Sequence, residues 1–227
     1  MNELASIRGW EDALTGVVDT LIVFVVLTNM LLLGTSRLAS CIRIVAVQGL
    51  LLGLLPLLAH AAVPHPRIIL QAVVSVGLKG IVFPLLLNRV VRDADSRSEP
   101  GPIVGYTPSL LAGGALVAFA LAMGKRLPLP TAATPSLLVP VAIFTIMTGL
   151  FLIVARRHAV AQILGYLAME NGIYAFGLAF AEKEPLLVEM GILLDAFMAV
   201  FVMGVLVFRI QRELDHMDTD RLSELRD

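Results

Sequence analysis

Seven apolar runs dominate the sequence, and each is about as long as a helix must be to cross a lipid bilayer. A helix needs roughly 20 residues to span about 30 Å of hydrocarbon. The runs lie at Leu14–Gly34, Cys41–Ala61, Pro66–Val91, Ser109–Gly124, Ser136–Ala155, Val160–Ala181 and Pro185–Phe208. They are continuous and do not alternate as the strands of a membrane barrel must. The sequence therefore predicts an all-α integral membrane protein with about seven transmembrane helices.

Composition and charge narrow the possible functions. Hydrophobic residues make up 58% of the chain and charged residues 15%, whereas a soluble domain has roughly 45–50% and about 25%. The formal net charge of −1 gives no indication of a nucleic-acid partner. Cys41 is the sole cysteine, so this chain alone cannot form a disulfide or bind an iron–sulfur cluster or a cysteine-rich zinc site. We expect no metal, no cofactor and no catalytic residue.

Basic residues predict how the chain is oriented in the bilayer. No basic segment or cleavage site precedes the first run, so we expect that run to remain in the mature protein. The first, third and fifth connections and the C-terminal tail carry eleven Lys and Arg residues, and the opposite side carries five. Because basic residues favour the cytoplasmic side, the count predicts an external N-terminus and a cytoplasmic C-terminus.

The order of the spans indicates a weak internal repeat. Helices one to three and helices five to seven each contain a plain apolar span, a span with a polar centre and a span that begins at proline. We therefore divide the chain into a three-helix module at 1–92, a linker and connector helix at 93–135, a second three-helix module at 136–210, and a cytoplasmic tail at 211–227.

Three charged residues lie near the centres of their spans: Lys79, Glu170 and Asp195. A charge at the bilayer centre costs roughly 2.5–3.5 kcal/mol, so such residues usually face a bundle interior and have a function. Burial disfavours the charged forms of amines and carboxyls alike, which allows these groups to exchange protons at physiological pH. The pattern favours a proton or ion relay; a static salt bridge from Lys79 to either acid is the alternative, and the two can coexist.

Other polar residues are candidates for supporting roles. Gln48 lies mid-span, where an interhelical hydrogen bond is the simpler interpretation. Asn171 and Tyr174 flank Glu170 closely enough to orient its carboxyl group or hold a water. Glu189 is either the mouth of a path or a favourable charge at a helix N-terminus. His158, beside two arginines in a turn, is either a proton-entry group or an ordinary interfacial histidine.

Two stretches, Gly165–Gly177 (GYLAMENGIYAFG) and Pro185–Asp195 (PLLVEMGILLD), resemble the hydrogenase-4 component E family. Its members are membrane subunits of formate-hydrogenlyase-type and related group 4 nickel–iron hydrogenase complexes. The family is similar to the K subunit of respiratory complex I and to the C subunit of multisubunit sodium/proton antiporters. The resemblance implies a bacterial or archaeal cytoplasmic membrane, and partners that include other membrane subunits, among them antiporter-like ones.

The resemblance also implies roles for particular residues. The K subunit carries two membrane glutamates, on successive helices, in its path for proton translocation. Glu170 matches the first, and Asp195 is the better match to the second, although it is an aspartate and Glu189 competes for the assignment. Gln48 and Lys79 lie where the repeat would place the corresponding acids of the first half. The last three helices therefore resemble a K-like module and the first three a diverged copy.

The sequence leaves three functions to compare. The first is a non-catalytic, proton-conducting subunit of a membrane-bound hydrogenase or complex I-like assembly. The second is a transporter that acts alone or within an antiporter complex; against the stand-alone form, the chain is short and no helix is clearly broken at mid-membrane. The third is a structural membrane scaffold, which predicts that neutral residues can replace all three buried charges.

Overall fold

The fold is described from a computed structural model. It describes residues 2–35, 37–59, 66–93, 103–127, 137–157 and 159–180, together with positions 193, 194, 197, 198, 200, 201 and 204. The helices are α1 (Asn2–Gly34), α2 (Leu38–Ala59), α3 (Pro66–Gly77), α4 (Phe83–Asp93), α5 (Tyr106–Gly124), α6 (Leu138–Ala155) and α7 (Ala159–Ala179). A π-helical turn, Leu78–Val82, joins α3 to α4.

Five helical segments of the described chain are long and apolar enough to cross a membrane. They are Gly16–Gly34, Leu38–Leu58, Ile68–Arg89, Tyr106–Gly124 and Leu138–Ala155. The chain is therefore an all-α, multi-pass membrane protein, as predicted. Most of the seventh predicted span, 185–208, lies outside the described residues. A count of seven spans and the division into two modules accordingly stay predictions.

Helix α7 is as long as these spans but more polar. Its 21 residues extend roughly 31 Å at 1.5 Å per residue. Glu170 and Asn171 lower its hydropathy, yet both side chains are only 1% exposed because α7 lies inside the bundle. Other helices carry apolar side chains that face outwards, such as Leu70 (65% exposed) on α3 and Val154 (75% exposed) on α6. This distribution is expected when a membrane bundle buries its polar groups and shows lipid its apolar ones.

Glycines bring α6 and α7 into direct backbone contact. A methyl group on Gly149 would meet the backbone nitrogen of Met169 and would lie 2.5 Å from the carbonyl oxygen of Gly165. A methyl group on Gly172 would lie 2.6 Å from the backbone nitrogen of Ile146. Small residues at such contacts let membrane helices pack through their backbones. The contact sets the depth and rotation of α7, including the residue after Met169, which is Glu170.

The π turn is a feature that the sequence analysis does not predict. The backbone N–H of Phe83 donates to the carbonyl of Leu78, five residues earlier, instead of the usual four. Pro84 follows at once, and a proline inside a helix lacks an N–H and its ring clashes with the carbonyl four residues before it. The wider turn relieves that clash without ending the helix. It also places Lys79 in the irregular part of the span.

Arg156 links the ends of three helices at one end of the bundle. The buried Arg156 guanidinium donates to the carbonyl oxygens of Leu33 (3.2 Å) and Thr35 (3.3 Å), where α1 ends. It also lies 5.5 Å from the ring centre of Tyr106, at the start of α5. A cation at a helix C-terminus is favourable because the last carbonyls lack partners and carry partial negative charge. The end of α1, the start of α5 and the end of α6 therefore lie together at one end of the bundle.

Candidate functional site

A small cavity lies between α2, α4 and α7, deep in the bundle. Its free volume is about 10 Å³, close to the smallest cavity that holds one water molecule. Three polar residues reach it: Lys79 from the π turn, and Glu170 and Asn171 from α7. The remaining lining is apolar and consists of Ile42, Val45, Ala46, Phe83, Pro84, Leu87, Leu164 and Leu167. We call this space the central cavity.

Lys79 reaches the central cavity across the surface of α2. A methyl group on Gly49 would lie 2.6 Å from Cβ of Lys79 and within 3.4 Å of its Cγ and Cδ, so the lysine stem lies directly on this glycine. The side chain is 4% exposed, and its Nζ lies 4.8 Å from the ring centre of Tyr174. An aromatic face attracts an ammonium group by about 2 kcal/mol or more when both are desolvated. The face of the Tyr174 ring would therefore attract the Lys79 side chain when it carries a positive charge.

Glu170 lines the same cavity from α7. Its side chain is 1% exposed and belongs to α7, whereas Lys79 belongs to a span almost 100 residues earlier. Coulomb attraction between opposite charges is far stronger in such a low-dielectric interior than in water. The fold therefore brings a buried amine and a buried carboxyl group to one cavity.

A chain of hydrogen bonds leads away from the central cavity through three further helices. The Asn171 amide donates to the Gln48 carbonyl (3.2 Å), and the Gln48 amide donates to the Asn29 carbonyl (3.0 Å). The Asn29 amide then donates to the Thr145 hydroxyl (2.8 Å). All four side chains are at most 1% exposed. We call these residues the amide chain; it connects α7, α2, α1 and α6.

The structure places the residues singled out in the sequence as follows. Lys79, Glu170 and Asn171 meet at the central cavity, and Tyr174 lies beneath the Lys79 ammonium. Gln48 makes interhelical hydrogen bonds, the simpler of its interpretations. Three candidates lie outside the described residues: His158, Glu189 and Asp195.

Sequence reasoning missed the far end of the amide chain. Asn29 lies five residues from the C-terminal end of the first apolar span, and Thr145 lies near the middle of the fifth. A buried amide inside a span requires a partner, because an unsatisfied polar group in hydrocarbon costs several kcal/mol. That rule predicts that Asn29 needs a hydrogen-bond partner, but it does not identify the helix that supplies the partner.

The comparisons with known proteins give a consistent family. The family model described as NADH-ubiquinone/plastoquinone oxidoreductase chain 4L matches residues 137–227. An uncharacterized protein of Mycobacterium tuberculosis, Rv0085, is 36% identical over 205 residues, which is 89% of this chain and 92% of that protein. Hydrogenase-4 component E of Escherichia coli is 31% identical over 150 residues, which is 65% of this chain and 68% of the relative. The chain belongs to the hydrogenase-4 component E family. No solved structure matches it.

Family membership divides the site into two parts. The chain 4L match begins at residue 137, so it includes Glu170 and Asn171 on α7. Lys79 and Gln48 precede that match and come from the first part of the chain. In this component E family member, the central cavity is therefore formed where the chain 4L-like part packs against the helices that precede it.

Proposed function

We propose that this protein is a non-catalytic membrane subunit of a hydrogenase assembly related to complex I, and that it carries part of a proton path. The observation that carries the proposal is the shared central cavity: Lys79 and Glu170 reach one buried, water-sized space from distant parts of the chain. Membership in a family whose characterised relative is named for hydrogenase-4 supports the assembly. The match to an oxidoreductase chain 4L supports the relation to complex I.

The two groups can move a proton without any other reagent. In the proposed step, the Lys79 ammonium gives a proton to a water in the central cavity, and that water gives a proton to the Glu170 carboxylate. The products are a neutral amine and a carboxylic acid, so the step leaves no separated charges in the bundle interior. An approaching charge in a neighbouring subunit would reverse the step by stabilising the ionised pair. Protons would thus pass laterally through the membrane subunits as the charges of neighbouring subunits change.

The rest of the path is proposed from the sequence pattern together with the family resemblance. We propose Asp195 or Glu189 as the next carboxylate after Glu170, and His158 as the group at which protons enter from the cytoplasmic side. The modules 1–92 and 136–210 would flank the connector, with the N-terminus outside and the C-terminus in the cytoplasm of a bacterial or archaeal cell. Antiporter-like subunits would receive the protons. Redox chemistry would belong to partner chains, because a single cysteine cannot bind an iron–sulfur cluster.

Purification of the full-length chain from its native membranes tests the assembly. An affinity tag on the chain, with mild detergent, is expected to recover a nickel–iron hydrogenase large subunit and antiporter-like membrane subunits by mass spectrometry. A matched preparation from cells with the untagged chain controls for unspecific binding. Recovery of the chain alone, together with ion transport by that chain in liposomes, would instead favour a stand-alone transporter.

A further inference from the structure

The amide chain has a direction, and two threonine hydroxyls determine it. The Thr145 hydroxyl donates its only proton to the Val141 carbonyl (2.7 Å), and the Thr28 hydroxyl donates to the Val25 carbonyl (2.7 Å). A threonine in a helix commonly donates its hydroxyl proton in this way to a carbonyl of the preceding turn. Each hydroxyl can then only accept a hydrogen bond from an amide. The two threonines therefore act as fixed acceptors inside the bundle.

Fixed acceptors orient every amide that follows. Because Thr145 accepts, the NH2 group of Asn29 must face it, and the carbonyl of Asn29 must face Gln48. Gln48 consequently turns its NH2 group towards Asn29, and the same NH2 group also donates to Thr28 (3.2 Å). The carbonyl of Gln48 is left for Asn171, whose NH2 group donates to it. The two threonines thus impose the same orientation on Gln48 by independent routes.

We propose that Thr28 and Thr145 act through this chain to hold the carbonyl oxygen of Asn171 towards the central cavity, as positioning residues for proton transfer there. Asn171 lines the cavity, and one N–H of its NH2 group donates to Gln48. Because the nitrogen faces Gln48, the oxygen on the other arm of the planar amide is the atom that we assign to the cavity. The proposal rests on the proposed function, because it concerns the same cavity and the same proton.

The orientation matters because an amide oxygen and an amide NH2 select opposite partners. An oxygen at the cavity accepts from the Lys79 ammonium, from a water or from a protonated Glu170 carboxyl, all of which carry the proton to be moved. An NH2 group would instead donate to the Glu170 carboxylate and hold it in the ionised form. The amide chain thus turns the acceptor atom of Asn171, not its donor, towards the groups that carry the proton.

Threonine-to-valine substitutions in the intact complex test the proposal. Thr28→Val and Thr145→Val each leave one threonine to orient Gln48, so each single variant is expected to lower proton translocation less than about twofold. The double variant removes both fixed acceptors. The hydrogen bonds of the amide chain can then run in either direction. Translocation should fall by roughly fivefold or more in the double variant, on the scale of a buried hydrogen bond to the wrong group. The double Thr→Ser variant keeps both acceptors and should retain wild-type translocation.

The comparison of single and double variants separates positioning from structure. If the hydroxyls serve only packing, the double variant should show the product of the two single effects, and that result would overturn the proposal. A double Val variant with wild-type translocation would also overturn it. Subunit content is measured in each preparation, and the serine pair reports translocation where the valine pair fails to assemble. If Glu170→Gln translocates normally the proposed function fails; if only the threonine effects are absent, the orientation proposal fails alone.

Discussion

Proton translocation is expected to fall by about tenfold or more when Lys79 is replaced by methionine, because the central cavity then loses its proton donor. Methionine keeps an unbranched stem of similar length, so the packing of that stem on Gly49 is retained. The substitution removes the ammonium group that lies 4.8 Å from the centre of the Tyr174 ring. It therefore removes the group that can protonate the ionised Glu170. Removing a charge from the bilayer interior also lowers the cost of insertion, so the subunit should still assemble.

The measurement is proton uptake by inverted membrane vesicles driven by the hydrogenase, normalised to the amount of assembled complex. Lys125→Met is the matched control, since Lys125 is exposed in the turn after α5 and lies away from the central cavity. The control should translocate at the wild-type rate. Equal rates for Lys79→Met and Lys125→Met at equal subunit content would show that the buried lysine has no part in the path.

The second large effect concerns the contact between α6 and α7. Leucine at Gly149 is expected to reduce the assembled subunit by roughly tenfold, because its first side-chain carbon would already meet backbone atoms of Met169 and Gly165. Backbone atoms cannot rotate away as the end of a flexible side chain can. The two helices must separate, and α7 would lose the position from which Glu170 reaches the central cavity.

Gly114→Leu provides the control for this substitution. Gly114 lies on α5, and no heavy atom lies within 4 Å of the position that its Cβ would occupy. Both variants add the same apolar side chain to a membrane helix, so insertion into the bilayer is affected equally. Native gels and thermal stability of the solubilised complex are expected to show loss for Gly149→Leu only. Equal assembly of both variants would contradict the role given to the α6–α7 contact.

The membrane-spanning helices were predictable because their signal is local. Runs of about 20 apolar residues leave helices as the main solution, since each backbone group must be satisfied within the segment. The described helices confirm the prediction of a multi-pass, all-α membrane protein. Likewise, the cost of burying Lys79 and Glu170 marked them from the sequence alone, and both are buried on the central cavity.

The arrangement of the site was harder to predict from the sequence, because it depends on which helices pack against one another. Asn29 and Thr145 are 116 positions apart, and the local sequence around either residue does not indicate that the other is its hydrogen-bond partner. The π turn packs against α2, and the local sequence alone does not specify that contact. In the sequence, Arg156 is indistinguishable from the other basic residues of the connections. In the fold, it donates hydrogen bonds to the carbonyls at the end of α1.

The central claim is that Glu170 accepts protons at the central cavity, and the number of protons moved per hydrogen turned over tests it most directly. Purified complexes with Glu170→Gln or with Asp19→Asn, a carboxylate exposed on α1, are reconstituted into liposomes at matched subunit content. Hydrogenase activity with a soluble dye, which bypasses the membrane arm, verifies that the catalytic partners are intact. The account predicts that Asp19→Asn keeps the wild-type proton ratio and rate, and that Glu170→Gln loses proton translocation while the dye-linked activity persists. Wild-type proton translocation in the Glu170→Gln complex would contradict it.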